Sequence, residues 1–83
     1  MTIYVEIEVP VLGKVYDFKL ESKETIGALL EEILIAISQK EQCPFGNQKE
    51  TFILSFPEQN KLLHPQKQLK DYKIITGSRL LLV

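Results

Sequence analysis

The 83-residue chain has a length, composition and charge that exclude several classes of protein. Its 10 Lys and Arg residues against 11 Asp and Glu residues give a net charge of −1, which favours neither nucleic acid nor an anionic membrane. Its apolar runs are far shorter than the roughly 20 residues of a membrane-spanning helix. The single cysteine, Cys43, cannot form an internal disulfide, and no signal peptide is recognisable. We therefore expect one cytoplasmic domain over residues 1–83.

The first twenty residues alternate between apolar and polar side chains, which is the period of a half-buried strand. Residues 2–9 form one such segment and residues 14–20 another, with Pro10 and Gly13 between them. Two strands separated by a short Pro/Gly loop predict a β-hairpin. The side chains expected on its buried face are Ile3, Val5, Ile7, Val9, Tyr16, Phe18 and Leu20.

Residues 25–38 predict the helix around which the rest of the chain is organised. Thr25 occupies a suitable N-cap position, and Glu24 before it suits the positive end of the helix dipole. The apolar residues that follow recur at the spacing of one helical face. They are Ile26, Leu29, Leu30, Ile33, Leu34 and Ile37. Such a face requires a sheet to cover, so the first half of the chain reads ββα.

The second half of the chain predicts shorter elements. Residues 39–50 are mostly polar and indicate a loop, and residues 51–56 indicate a third strand with Leu54 and Phe56 inward. A turn is expected over 58–61, followed by a short edge strand that begins at Leu62. Residues 79–83 predict the last strand, with Leu80 and Leu82 inward.

No set of residues predicts catalysis, a metal or a cofactor. His64 and Cys43 are the single histidine and cysteine, and they are 21 positions apart with no third orienting group apparent. They also supply too few ligands for a metal site. The four glycines form no phosphate-binding loop, and Gly27 within the predicted helix is better explained by close packing or by tolerated strain. We expect a protein that is not an enzyme.

A segment near the end of the chain has the pattern Leu-x-Asp-Tyr-x-Ile, formed by Leu69, Asp71, Tyr72 and Ile74. This segment, together with the Thr25-Ile26 helix start, resembles ubiquitin. The resemblance implies an α+β, ubiquitin-like β-grasp fold: a four- to five-stranded mixed sheet with one helix packed across one face. It also implies that the Tyr72 hydroxyl bonds to backbone. A right-handed crossover would then place the first and last strands parallel at the sheet centre.

This sequence does not match the functional features of a ubiquitin-like modifier. Modifiers and sulfur carriers act through a flexible tail that ends in Gly-Gly, whereas this sequence stops at Val83, and Ser55 stands at the position of ubiquitin's key surface isoleucine. We therefore expect neither conjugation nor recognition by ordinary ubiquitin receptors. The alternative is a modifier or sulfur carrier with an extended native terminus, which codons for Gly-Gly after Val83 would reveal.

Three further features carry a likeness: the Val15-Tyr16-Asp17-Phe18 segment, the Leu69–Tyr72 region with the following Gly77, and the tail-less ending. In these features the chain is more similar to the EsaB/YukD family, small bacterial ubiquitin-like proteins associated with type VII secretion systems. This likeness implies a non-catalytic adaptor or regulatory component that binds proteins of a secretion apparatus, without nucleic acid or membrane insertion. It leaves room for recruitment to a membrane complex and for weak self-association. A generic ubiquitin-like interaction domain is a further alternative.

The sheet face away from the helix is where we expect partner binding. With a strand order of 2-1-5-3, five apolar residues would point outward from adjacent strands, and exposed apolar patches tend to mark protein contacts. They are Tyr4, Val15, Ile53, Leu81 and Val83. The alternative is that these residues only satisfy the preference of strands for β-branched and aromatic side chains.

Overall fold

The computed structural model describes residues 1–42 and 52–83, in which one α-helix lies across one face of a five-stranded sheet. The main elements are β1 (Thr2–Val9), β2 (Lys14–Glu21), α1 (Ile26–Glu41), β3 (Leu54–Phe56), β4 (Lys61–Leu62) and β5 (Arg79–Leu82). Two short 3₁₀ helices cover Pro57–Gln59 and Leu69–Tyr72.

The strands lie in the order β2-β1-β5-β3-β4. β1 runs antiparallel to β2 and parallel to β5, and β3 runs antiparallel to both β5 and β4. This confirms the predicted order 2-1-5-3, the parallel central pair and the mixed sheet, and it adds β4 at the edge. The crossover from the hairpin through α1 covers one face of the sheet and leaves the other open.

The core lies between α1 and the inner face of the sheet. All six residues of the predicted helical stripe are buried, as are Leu54, Phe56, Leu80 and Leu82 from the later strands. Of the hairpin residues expected inside, only Phe18 remains partly exposed at the sheet edge. Each branched aliphatic side chain gains about 1.5–3 kcal/mol on burial, so this stripe is a main source of stability.

The helix begins as expected and ends later than expected. The hydroxyl of Thr25 accepts a hydrogen bond from the Ala28 N–H at 3.3 Å, which confirms the N-cap. The helix continues past the predicted end at Ser38 to Glu41, and Gln42 then closes it in the left-handed region with its N–H bonded to the Ser38 carbonyl. The last turn is polar, so hydrophobic periodicity could not reveal it; contacts from β2 hold it in place.

The later elements are shorter than the sequence indicates. β3 begins at Leu54, although the prediction began at Thr51, which lies outside the described residues together with most of the predicted 39–50 loop. The predicted turn over 58–61 is instead the 3₁₀ helix Pro57–Gln59, and Lys61 already belongs to β4. β5 ends at Leu82, yet Val83 still exchanges two backbone hydrogen bonds with Ile53.

Backbone hydrogen bonds join the helix start to the segment after β4. The Ile26 N–H donates to the Lys67 carbonyl and the Gly27 N–H donates to the Pro65 carbonyl, each at 2.8 Å. A Cβ at position 27 would lie 3.2 Å from the Pro65 oxygen, which confirms close packing as the reason for glycine. The Tyr72 hydroxyl accepts a hydrogen bond from the His64 N–H at 2.9 Å, so the predicted bond to backbone is also present.

Candidate partner-binding surface

The open face of the sheet carries three groups of side chains, and strand register decides which residues belong to each. Successive residues of a strand point to opposite faces, so residues paired across strands share a face. β1 pairs Glu8 with Val15 on one side and with Leu81 on the other, while β3 pairs Ser55 with Leu81 and Leu62. One row of side chains therefore crosses all five strands.

Four apolar side chains lie together at one end of this face, and we call them the outer apolar strip: Leu81, Val83, Ile53 and Leu62. Ile53 and Val83 are adjacent because their backbones exchange hydrogen bonds of 2.7 and 2.9 Å. Leu62 is 65% exposed, Val83 49% and Ile53 44%, while Leu81 is partly buried. The outer apolar strip thus reaches from the end of β5, past the start of β3, to β4, with much of its apolar surface in water.

A shallow hollow adjoins the outer apolar strip at Ser55. This serine lies between Leu81 and Leu62 in the register and is only 9% exposed, because its side chain is shorter than those of its neighbours. The hollow has a volume of about 250 Å³. Its lining residues are Ser55, Pro57, Asn60, Lys61, Leu62 and Leu81. A depression of this kind can receive a side chain that projects from a partner.

Charged side chains occupy the middle of the open face. Arg79 donates a hydrogen bond of 3.1 Å from its guanidinium to the carboxylate of Glu6, which it faces across the β1–β5 pair. Asp17 faces Glu6 from β2, and Glu8 follows Glu6 on the same side of β1. This charged group borders the outer apolar strip and is suited to the polar rim of an interface.

Tyr4 lies at the far end of the face, apart from the other apolar residues that the sequence placed with it. Its N–H donates to the Thr76 hydroxyl at 3.2 Å, and its carbonyl accepts from the Gly77 N–H at 2.8 Å. Glu8, which is paired with Leu81, comes four residues later, so Tyr4 is about 13 Å from the outer apolar strip along β1. The structure therefore does not bring Tyr4 and Leu81 together.

Val15 occupies an intermediate position. It is exposed on the open face, but Glu8 stands between it and Leu81, which places it about 10 Å from that residue across two strand spacings. Of the five residues expected to bind a partner, Ile53, Leu81 and Val83 are contiguous, and Val15 and Tyr4 are not.

Sequence reasoning did not identify Leu62 as part of this surface. A two-residue apolar pair gives no alternation, so Leu62 and Leu63 cannot be assigned to opposite faces from the sequence alone. The Ser55–Leu62 pairing makes the assignment, because Leu63 is then buried and Leu62 is exposed. The one available signal was the lysine before the pair, since charged residues are common on edge strands.

The helix side of the molecule contains a cluster of titratable groups. Glu41 lies 2.7 Å from the Lys14 ammonium and accepts a 2.6 Å hydrogen bond from the Tyr16 hydroxyl. The bond from Lys14, followed by that from Tyr16, lowers the pKa of Glu41. Burial, reinforced by the hydrogen bond to Glu41, raises the pKa of Tyr16 to about 12. The cluster ties β2 to the end of α1 and does not adjoin the outer apolar strip.

Of the two residues considered for chemistry, the structure describes only His64, which forms a local contact. His64 is exposed, and its Nδ1 accepts a hydrogen bond from the Gln66 N–H at 3.1 Å, as in a local turn. Cys43 lies outside the described residues. Over 1–42 and 52–83, no group of three or more His, Cys, Asp or Glu side chains is placed to hold a metal ion. No helix in the same ranges combines the length and the apolarity needed to cross a membrane.

Comparison with known proteins identifies the fold. No protein-family model matches the chain, and no curated protein matches it. Solved structures do: the N-terminal ubiquitin-like domain of the 4931431F19Rik protein aligns with a TM-score of 0.72 at 22% identity, covering 99% of this chain and 73% of that one. The ubiquitin-like domain of the Arabidopsis thaliana protein At2g32350 aligns with a TM-score of 0.76 at 20% identity, covering 99% and 76%.

Likeness at this level of identity concerns architecture alone. Altogether 310 chains of solved structure match, and a fold so widely used does not select one activity. The strand order, the parallel central pair, the α-helix across the sheet and these alignments agree with the sequence-based expectation. The chain has the ubiquitin-like β-grasp fold.

Proposed function

We propose that this chain is a non-catalytic ubiquitin-like adaptor or regulatory component of a bacterial type VII secretion system. It acts in the cytoplasm through contacts with protein components of that apparatus. The observation that carries the proposal is the outer apolar strip, which lies on the one sheet face that the helix does not cover.

The outer apolar strip has the features of a protein-binding surface. Leu81 and Leu62 project from β5 and β4. Ile53 and Val83 flank β3 and β5, and their backbones are hydrogen-bonded to each other, so the outer apolar strip is tied to the sheet and needs little ordering on binding. The hollow at Ser55 offers a socket beside exposed Leu62, and the ion pair of Glu6 and Arg79 offers polar contacts at the border. Exposed apolar side chains with a polar margin commonly mark such contacts.

The secretion-system part of the proposal is supported by the sequence likeness to the EsaB/YukD family. The residues that carry this likeness include Tyr16 and Leu69, which are buried, and Tyr72, which bonds to the His64 backbone. They characterise how the domain is packed more than where it contacts a partner. The proposal therefore joins a family likeness in the core to a surface observation that is independent of it.

Affinity capture under two conditions tests this function. The tagged chain is captured from the cytoplasm of its own cell without denaturant and then with denaturant, and the captured proteins are identified by mass spectrometry. An adaptor predicts secretion components that are present in the first sample and absent from the second. A ladder of species that survives denaturation would mean covalent attachment, and the modifier alternative would replace the proposal.

A further inference from the structure

The outer edge of β2 is a long strand edge that no other strand covers in the part of the chain that the structure describes. β2 is the terminal strand of the sheet, and its other edge pairs with β1 over eight residues. By contrast, β4 at the opposite end of the sheet has only two residues. Long exposed edges are templates for pairing with another strand, and proteins commonly shorten or cover them.

The alternation of hydrogen bonds shows which backbone groups point outward from this edge. The Ser22 N–H donates to the Met1 carbonyl, so the even-numbered residues of β2 bond to β1. The N–H and carbonyl groups of Val15, Asp17 and Lys19 therefore point away from the sheet. We call these six groups the free edge of β2. All three residues are also exposed in the part of the chain that the structure describes.

The sequence of β2 favours one partner for this edge, which is β2 of a second copy. Two antiparallel registers give the greatest overlap with side chains kept on matching faces, one centred on Asp17 and one centred on Phe18. The first places Asp17 opposite itself, which is repulsive. The second places Asp17 of each copy opposite Lys19 of the other, so that opposite charges face each other twice.

The register centred on Phe18 also provides hydrogen-bond partners for backbone groups of the free edge. Asp17 of each copy forms a hydrogen-bonded pair with Lys19 of the other, in which each residue donates its backbone N–H and accepts at its carbonyl across the new junction. Phe18 then faces Phe18 of the second copy as a non-hydrogen-bonded pair, where side chains approach most closely. This ring is only partly buried within one copy and borders a small depression lined by Ala36 and Lys40. Pairing would cover it with a second aromatic ring.

We propose that two copies of this chain associate through antiparallel pairing of their β2 strands, centred on Phe18. The two five-stranded sheets then form one continuous ten-stranded sheet about a twofold axis. The interface is small, because it consists of one strand edge from each copy, and small interfaces of this kind form weak and reversible complexes. The outer apolar strip lies across β5, β3 and β4, at the other end of the sheet, and remains accessible in both copies.

Charge exchange at two positions tests the pairing. Asp17→Lys puts lysine opposite lysine at both junction sites, and Lys19→Asp puts aspartate opposite aspartate. Sedimentation velocity at concentrations up to about 1 mM measures the dimer dissociation constant of each variant. We expect the wild type to dimerise and each single variant to dimerise at least about tenfold more weakly. Circular dichroism shows that the variants fold, which exposed substitutions should permit.

The strongest test is whether association returns when opposite charges again face each other across the junction. The double variant Asp17→Lys with Lys19→Asp should dimerise like the wild type, and an equimolar mixture of the two single variants should form a mixed dimer. Glu58→Lys, an exposed change in the 3₁₀ helix far from β2, serves as the control and should leave dimerisation unchanged. A wild type that stays monomeric to about 1 mM, or single variants that dimerise as tightly as the wild type, would overturn the proposal. Capture of secretion components by a monomeric Lys19→Asp variant, which leaves the charged group around Glu6 unchanged, would leave the adaptor function standing.

Discussion

The hydroxyl of Tyr16 donates a 2.6 Å hydrogen bond to the carboxylate of Glu41, and this contact joins the second strand to the last turn of the helix. Tyr16 is buried, and the same carboxylate is paired with Lys14. A hydrogen bond to a charged acceptor contributes about 1.5–3 kcal/mol. We expect Tyr16→Phe to lower the free energy of unfolding by about 1–2 kcal/mol in urea titrations at pH 7. Tyr4→Phe, an exposed change, is the control and should have little effect.

Alkaline pH should reveal the same contact independently. The pKa of Tyr16 rises from 10.0 to about 12 in the folded chain, so the folded state keeps its proton where the unfolded state loses it. The stability from this group is therefore complete below pH 10 and is lost between about pH 10 and 12. Urea titrations at pH 8 and 11 should show a smaller decline in Tyr16→Phe than in the wild type. Equal declines would contradict the assignment.

The contribution of Glu41 to stability should depend on pH in the acidic range. Lys14, and then Tyr16, lower the pKa of its carboxyl, so the unfolded state binds a proton more readily than the folded state. The resulting stability is present above the ordinary pKa and is lost as pH falls through the lowered value. Glu41→Gln should therefore reduce the Tm at pH 7 and have progressively less effect toward pH 2. A difference in Tm that does not change with pH would exclude an electrostatic origin.

Glu32 should reduce stability at neutral pH. Burial, together with the nearby Glu24 carboxylate, raises its pKa in the folded chain, so ionising it costs more in the folded state than in the unfolded one. Its contribution is favourable below the ordinary pKa and is lost as pH rises through the raised value. We expect Glu32→Gln to raise the Tm at pH 7 and to have no effect near pH 3. A decrease in Tm at pH 7 would show that the carboxylate is stabilising.

Elements marked by a periodic pattern of apolar residues could be predicted from the sequence, whereas features that depend on strand register could not. Six stripe residues after Thr25 all proved buried, because a helical face of this width has few alternatives. The separation of Tyr4 from Leu81 follows from the pairing of Glu8 with Leu81, which no local pattern specifies. For the same reason Leu62 was not recognised as a surface residue. The sequence could indicate which residues point outward, but not which of them are neighbours.

Gly27 offers a test of the packing between the helix and the segment after β4. Its N–H bonds the Pro65 carbonyl at 2.8 Å, and an added Cβ would lie 3.2 Å from that oxygen and 3.4 Å from the Pro65 Cβ. The backbone there is also held by the bond from Ile26 to Lys67, so it cannot move freely. Gly27→Ala should destabilise the chain by about 1 kcal/mol despite alanine's better helix propensity. A gain in stability on urea titration would contradict this.

Partner binding by the outer apolar strip can be tested by comparing two surface variants in quantitative capture without denaturant. Ile53→Ser with Leu62→Ser changes two exposed residues of the outer apolar strip, and Tyr4→Ser changes an exposed residue about 13 Å along the same face. We expect the co-captured secretion components to fall at least about tenfold for the first variant, equivalent to about 1.4 kcal/mol, and to stay unchanged for the second. Undiminished capture by the folded Ile53→Ser, Leu62→Ser protein would contradict this expectation.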